Sequence, residues 1–213
     1  MRVIFRQKSA PPAGAVSNIF ATPLINRSLT LATPDYLAEL RRHILNLERI
    51  DRGRTLSNFG GWHSSEDFFS QNVDIVQKLA AEILKVAAEM SYEQTRSSYP
   101  TCAIDVRFDG GSWANVSRHG DYNKPHSHPG VVWSGVFYVS LGDRDPEPRD
   151  NGCIEFIDPR PGNIFATKFR IDPRPGQLLL FPSWLYHYVN PFRGGGERIS
   201  IAFNTNVEVH PAA

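Results

Sequence analysis

The sequence predicts a mainly β fold with N-terminal helices, the helices packed on one sheet of a β-sandwich or barrel. Three observations carry that prediction. Up to Tyr92 the apolar residues recur at helical spacing, and from Cys102 onward they alternate or run in short β-branched and aromatic stretches. The 16 Gly and 16 Pro concentrate in the second half, where a turn-rich β structure needs them. The helical half carries apolar faces that need a sheet to bury against. At 213 residues the chain suits a single domain over 1–213, with a helical support region over 1–100 and a β core over 101–209.

Residues 1–16, with Pro11-Pro12 and Gly14, read as an irregular lead-in, and 18–25 as a short strand. Thr33-Pro34-Asp35 marks a helix start, a Thr cap followed by Pro at the first helical position. Tyr36, Leu37, Leu40, Ile44 and Leu47 then fall on one face, and Gly53 marks the end. The stretch from Ser57 to His63 reads as a loop. A second amphipathic helix, capped by Asn72, places Val73, Val76, Leu79, Ala80, Ile83, Leu84 and Ala87 together.

Cys102 to Phe108 alternates as a strand, Asp109-Gly110-Gly111 reads as a turn, and Trp113 to Ser117 as the next strand. The run through Val139, the stretches Cys153–Ile157, Lys168–Ile171, Gln177–Phe181 and Trp184–Val189, and a last strand Arg198–Val207 complete the set. Asp143 to Gly152 is charged and Pro-punctuated, hence a loop.

Composition narrows the function. A net charge of +1 gives no nucleic-acid or anionic-membrane signal. Two cysteines, Cys102 and Cys153, make neither a disulfide framework nor a metal knuckle, so a reducing cytoplasm is expected. No apolar run reaches transmembrane length, and the N-terminal apolar stretch is too short for a signal peptide.

The chemistry-bearing residues begin with His126 and His128. On a strand, residues two apart point to the same face, so both imidazoles can aim at one metal ion. The pair alone is equally compatible with a polar loop that happens to hold two histidines. His187 sits among Trp184, Tyr186 and Tyr188; a lone histidine there is more often a satisfied core residue than a ligand. On the last strand Arg198, Ser200, Ala202 and Asn204 share one face and Ile199, Ile201, Phe203 and Thr205 the other. An edge strand wetting its polar face would explain that pattern. Yet Arg and Ser are directional donors, suited to gripping a carboxylate.

Taken in order, the early His-x-His, the buried strand after Pro175-Gly176, the late histidine and the following Arg-x-Ser resemble the 2-oxoglutarate- and iron(II)-dependent dioxygenases. The segments Trp113-Ala114-Asn115, His126 to Gly130, Ser134 to Tyr138 and Phe181 to Trp184 are similar to an uncharacterised bacterial branch of that superfamily. The resemblance covers residues 57–207. It implies a double-stranded β-helix (a jelly roll, cupin-like). It also implies an enzyme that couples oxidative decarboxylation of 2-oxoglutarate to hydroxylation of a small-molecule or peptidyl substrate. His126 and His187 match the two histidine ligands of iron(II), and His128 stands where the family has a carboxylate. Asp121 or Asp143 is the alternative third ligand. Arg198 and Ser200 match the co-substrate clamp, with Asn115 and Tyr138 as further donors. Nickel or zinc, which bind such ligands more tightly than iron(II), can occupy the site on isolation. His63, in the Gly-Gly-Trp-His loop, reads as a surface residue, with the lining of a substrate entrance as the alternative.

Two other readings fit the same residues. One is a three-histidine, cupin-type dioxygenase in which Arg198 holds the substrate's own carboxylate and no 2-oxoglutarate is used. The other is a non-enzymatic β-sandwich module whose histidines are structural or bind zinc.

Overall fold

The computed structural model describes residues 21–160 and 168–211. The first strand, β1 (Ile25–Ser28), starts where the expected 18–25 strand ends; residues 18–20 and the lead-in lie outside the described residues. Helix α1 (Pro34–Ile50) begins as its sequence dictates. The Thr33 hydroxyl accepts from the Tyr36 amide at 3.3 Å, and Pro34 occupies the first turn, where its missing N–H costs nothing. Two short strands, β2 (Asn58–Phe59) and β3 (Trp62–His63), occupy the expected loop. Helix α2 (Asp74–Thr95) starts at Val73 with no side-chain cap, so Asn72 is not its cap. Its buried stripe continues through Val86 and Met90 rather than Leu84.

The remaining strands are β4 (Cys102–Ser117), β5 (Tyr122–His126), β6 (Trp133–Arg144), β7 (Ile154–Ile157), β8 (Lys168–Ile171), β9 (Gln177–Pro182), β10 (His187–Val189) and β11 (Gly194–Pro211). Among the described residues they form two antiparallel sheets, one in the order β1-β9-β6-β11-β4-β3 and one in the order β2-β5-β10-β7-β8. The two sheets and the helices laid on one of them make the jelly roll that the resemblance implied.

The larger sheet has two unlike faces because its strands alternate. Ile199, Ile201, Val116, Phe137, Leu178 and Leu180 point outward and are covered by Leu40 and Ile44 of α1 and the buried stripe of α2. A hydrogen bond reinforces this contact: the Trp133 indole donates to the Ser91 hydroxyl of α2 at 2.8 Å. The inner face packs on the smaller sheet through Val136, Tyr138, Leu179 and Phe181 against Ile154, Phe156 and Ile171. β11 is a central strand of this sheet, bonded to β4 on one side and β6 on the other, so its polar residues face the interior rather than water.

Asp109-Gly110-Gly111 does not end a strand. Phe203 pairs with Ser112 and Thr205 with Phe108, so the three residues bulge opposite Asn204 alone. Both glycines take left-handed φ values, 73° and 95°, which let β4 bend and continue. The Asn204 amide holds the bulge, donating to the Gly110 carbonyl at 3.0 Å and accepting from the Ser134 hydroxyl at 2.7 Å. No helix among the described residues is long and apolar enough to cross a membrane.

Candidate metal centre and anion pocket

The centre forms between the inner faces of the two sheets. His126 is the last residue of β5 and lies directly opposite His187 on β10. Directly opposed residues put their side chains on one face, and the two rings stand 4.4 Å apart. His128 is not on the strand. It lies in the loop after β5, where its amide donates to the Ser183 carbonyl at 2.9 Å, and the Ser183 hydroxyl donates to the Val131 carbonyl. The loop clamp, rather than strand alternation, turns His128 toward the other two. Its ring is 4.9 Å from that of His126 and 5.4 Å from that of His187. One nitrogen from each of the three lies within 4.8 Å of the other two.

Backbone carbonyls set the tautomers. His126 Nδ1 lies 2.7 Å from the Lys124 carbonyl and His187 Nδ1 lies 2.9 Å from the Leu185 carbonyl. A carbonyl only accepts, so each Nδ1 carries the hydrogen and each Nε2 presents a lone pair. Burial holds all three imidazoles neutral: His126 is lowered, His128 is lowered to about 4 and His187 to about 3, the last two also by their histidine neighbours. Three neutral, orientated imidazoles form a donor set suited to a divalent transition metal. Among the described residues the cluster contains no carboxylate. The Asp121 carboxylate instead accepts from the Arg118 amide at 2.7 Å, and that of Asp143 lies beside Gly195 in the β6–β11 hairpin.

The aromatic wall around His187 differs from the expectation. Trp184 and Tyr186 lie in a turn before β10 and are 51% and 53% exposed. The rings that meet His187 are Phe181 at 4.8 Å and Phe156 at 6.0 Å, contributed by the neighbouring β9 and β7. Trp184 and Tyr186 precede the strand and are not held to its faces, so these chain neighbours do not become pocket neighbours.

Arg198 lines the same cavity as the three histidines, together with Ser200, Asn115 and Tyr138. Register explains the grouping: Ser200 on β11 opposes Asn115 on β4 and Tyr138 on β6, a row of three on the inner face. Arg198 is 2% exposed, and its Nε donates to the Gly152 carbonyl at 3.1 Å. It forms no ion pair with any described carboxylate. Burial pulls its guanidinium below the ordinary value, but arginine's basicity keeps it charged. Its guanidinium lies 5.3 Å from the centre of the Tyr138 ring. The Tyr138 hydroxyl is buried beside the Arg198 guanidinium with no well-formed hydrogen bond among the described residues, and burial raises its pKa to about 12, so it stays protonated. An unpaired buried cation beside an unpaired buried hydroxyl is the arrangement an anionic ligand completes.

His63 is not on the surface but takes the alternative place, in the lining of a cavity. It is 2% exposed, stacked on Trp113 at 5.3 Å and 12°, in a second cavity that also reaches His126 and His128. β3 has only two residues, too few for any periodicity to reveal which way His63 faces.

Residues 111–204, just under half of the chain, match the family model described as "Putative 2OG-Fe(II) oxygenase". No curated protein matches the chain by sequence. Among solved structures, a prolyl-4-hydroxylase from Pseudomonas putida is 14% identical, with a TM-score of 0.56 over 89% of this chain and 93% of that one. SnoN, the non-haem alpha-ketoglutarate-dependent epimerase of nogalamycin biosynthesis, is 13% identical, with a TM-score of 0.63 over 88% and 79%. HygX from Streptomyces hygroscopicus, solved with nickel and 2-oxoglutarate bound, is 12% identical, with a TM-score of 0.57 over 90% and 84%. The resemblance to the 2-oxoglutarate- and iron(II)-dependent oxygenases therefore holds as a sequence match over residues 111–204 and as a shared fold over nearly the whole chain.

Proposed function

We propose that this chain is an iron(II)- and 2-oxoglutarate-dependent dioxygenase that hydroxylates a small-molecule or peptidyl substrate. The observation that carries the reading is the buried, unpaired Arg198 in one cavity with three convergent, neutral histidines. In the reaction, 2-oxoglutarate, dioxygen and R–H give succinate, carbon dioxide and R–OH, so the keto acid supplies two of the four electrons that dioxygen takes up. Bound iron(II) supplies the redox chemistry that activates oxygen. His126, His128 and His187 hold the metal, with their free nitrogens already deprotonated. Arg198 grips the far carboxylate of 2-oxoglutarate, and Ser200, Tyr138 and Asn115 add donors around it. Phe156 and Phe181 keep water from the His187 side. Cys102 and Cys153 are both free thiols, which supports placing the enzyme in the reducing cytoplasm, where iron(II) persists.

The three-histidine set keeps the cupin-type reading in view, because it lacks the carboxylate usual in 2-oxoglutarate enzymes. One measurement separates the two. Purified protein with iron(II), 2-oxoglutarate and oxygen is expected to form succinate and carbon dioxide in equal amounts, slowly alone and faster with substrate. Failure to bind 2-oxoglutarate by calorimetry, or oxygen uptake without succinate, rejects the proposal.

A further inference from the structure

The cavity beside the metal centre encloses about 190 Å³ and is bounded by Leu56, Glu66, His63 and Trp113, with His126 and His128 at its inner end. It is smaller than the roughly 300–1,000 Å³ of pockets for drug-sized ligands, so it fits a compact group. His63 reaches it from β3. Asn115 opposes His63 across the sheet and Ser200 opposes Asn115, so His63 extends the inner-face row that holds the anion-pocket residues. Its Nδ1 lies 2.7 Å from the Ser64 carbonyl and therefore carries the hydrogen. Nε2 is then an acceptor open to the cavity, since the ring's hydrogen bond among the described residues is made at Nδ1. A core histidine held only for packing would have both nitrogens satisfied or lie against apolar groups alone. The residue is also fixed in place: the Arg54 amide donates to its carbonyl at 2.8 Å, and the Ala114 amide donates to the neighbouring Ser64 hydroxyl at 3.0 Å.

The charge of the lining is as informative as its shape. Among the described residues no lysine or arginine lines this cavity, and Glu66 does. Arg54, which pairs with Glu66 at 3.1 Å, lies at the exposed rim. At the His63 end of the cavity, a carboxylate or phosphate would meet an imidazole lone pair and the Glu66 carboxylate, both of which disfavour it.

We propose that His63 is a specificity-determining residue. The cavity takes a compact group bearing an amine or carboxamide N–H, which donates to His63 Nε2 while its apolar part lies on Trp113. Naming that group as part of the substrate rests on the dioxygenase reading; the site itself does not.

The test uses full-length protein loaded with zinc, which is diamagnetic and leaves the imidazole nitrogens visible by long-range proton–nitrogen NMR. Butyramide, butylammonium and butyrate are titrated at millimolar concentrations. The Nε2 resonance of His63 is expected to move upfield with the first two and to stay in place with butyrate. His63→Phe keeps a ring against Trp113 but removes the acceptor, and is expected to weaken butyramide binding about tenfold, one hydrogen bond's worth. A capped glutamine carries the same carboxamide on a peptide unit. Tighter binding than butyramide supports the donor group as a peptidyl side chain, and weaker binding supports it as a free small molecule. A stationary Nε2 resonance with both donor probes overturns the proposal even if the variant fails to fold. So does butyrate moving the Nε2 resonance as far as butyramide does, or unchanged butyramide affinity in folded His63→Phe. Calorimetry of 2-oxoglutarate on the same zinc-loaded protein judges the underlying reading separately. A moving Nε2 resonance with no 2-oxoglutarate binding rejects the dioxygenase and leaves the donor-group site standing.

Discussion

Replacing Arg198 by methionine is expected to stabilise the free protein and to cut its response to 2-oxoglutarate by about two thirds or more. The side chain is 2% exposed and unpaired by any carboxylate. Holding such a charge out of water costs several kcal/mol, set here at roughly 4. Against this, the substitution forfeits the Nε bond to the Gly152 carbonyl, about 1 kcal/mol. It also loses the contact with the Tyr138 ring, about 1–2 kcal/mol in a desolvated site. The balance favours methionine by about 1–2 kcal/mol, or about 2–8 °C in Tm for a chain of this size. Co-substrate reverses the order. Losing the partner of a buried carboxylate costs about 2–5 kcal/mol, about 30-fold to a few thousand-fold in affinity. At a hundred times the wild-type Kd, 2-oxoglutarate stabilises the wild type by about 2.7 kcal/mol and Arg198→Met by no more than about 0.9 kcal/mol. Thermal melts of nickel-loaded protein, with and without 2-oxoglutarate, give all four numbers. If Arg198→Met melts below the wild type without ligand, and both shift equally with it, then Arg198 is a structural residue and the clamp assignment fails.

Three further outcomes follow from the same geometry. His128→Ala is expected to retain much less metal than the wild type after dialysis, and His128→Asp to retain metal because a carboxylate restores a ligand and adds charge for a hard cation; equal metal content in all three, by plasma emission, would exclude His128 as a ligand. In chelator-treated protein, His187, His128, His126 and His63 have folded-state pKa values below the unfolded value near 6.5, so the unfolded chain binds more protons as pH falls. Urea stability should therefore fall from pH 7 to pH 5, by up to about 1.4 kcal/mol per pH unit for each such histidine. The depressed carboxyls of Asp172 and Glu208 act only at lower pH, and a flat profile between 7 and 5 would contradict the burial argument. Ser91→Ala strands the buried Trp133 indole N–H and should cost about 1–3 kcal/mol in urea unfolding, with Trp133→Phe in the same chain recovering part of the loss.

Local sequence specified most of the elements and marked the residues of the candidate site. Thr33-Pro34 started α1 because a side-chain cap and a missing N–H are local properties. The alternation over 198–203 assigned one face of β11 to the core and the other to the site because strand period is local too. His126, His187 and Arg198 were legible as a set because their order along the chain resembles a known one. Tertiary structure decided everything that depends on which strand lies beside which. It turned Asp109-Gly110-Gly111 from a turn into a bulge, because β11 runs past it and Asn204 holds it. It brought His128 to the centre by the Ser183 clamp rather than by strand alternation. It replaced Trp184 and Tyr186 by Phe156 and Phe181 around His187, since neighbours across a sheet come from distant parts of the chain. It also moved His63 from surface to cavity: a two-residue strand has no period of its own, and only pairing with Asn115 fixed the face on which it stands.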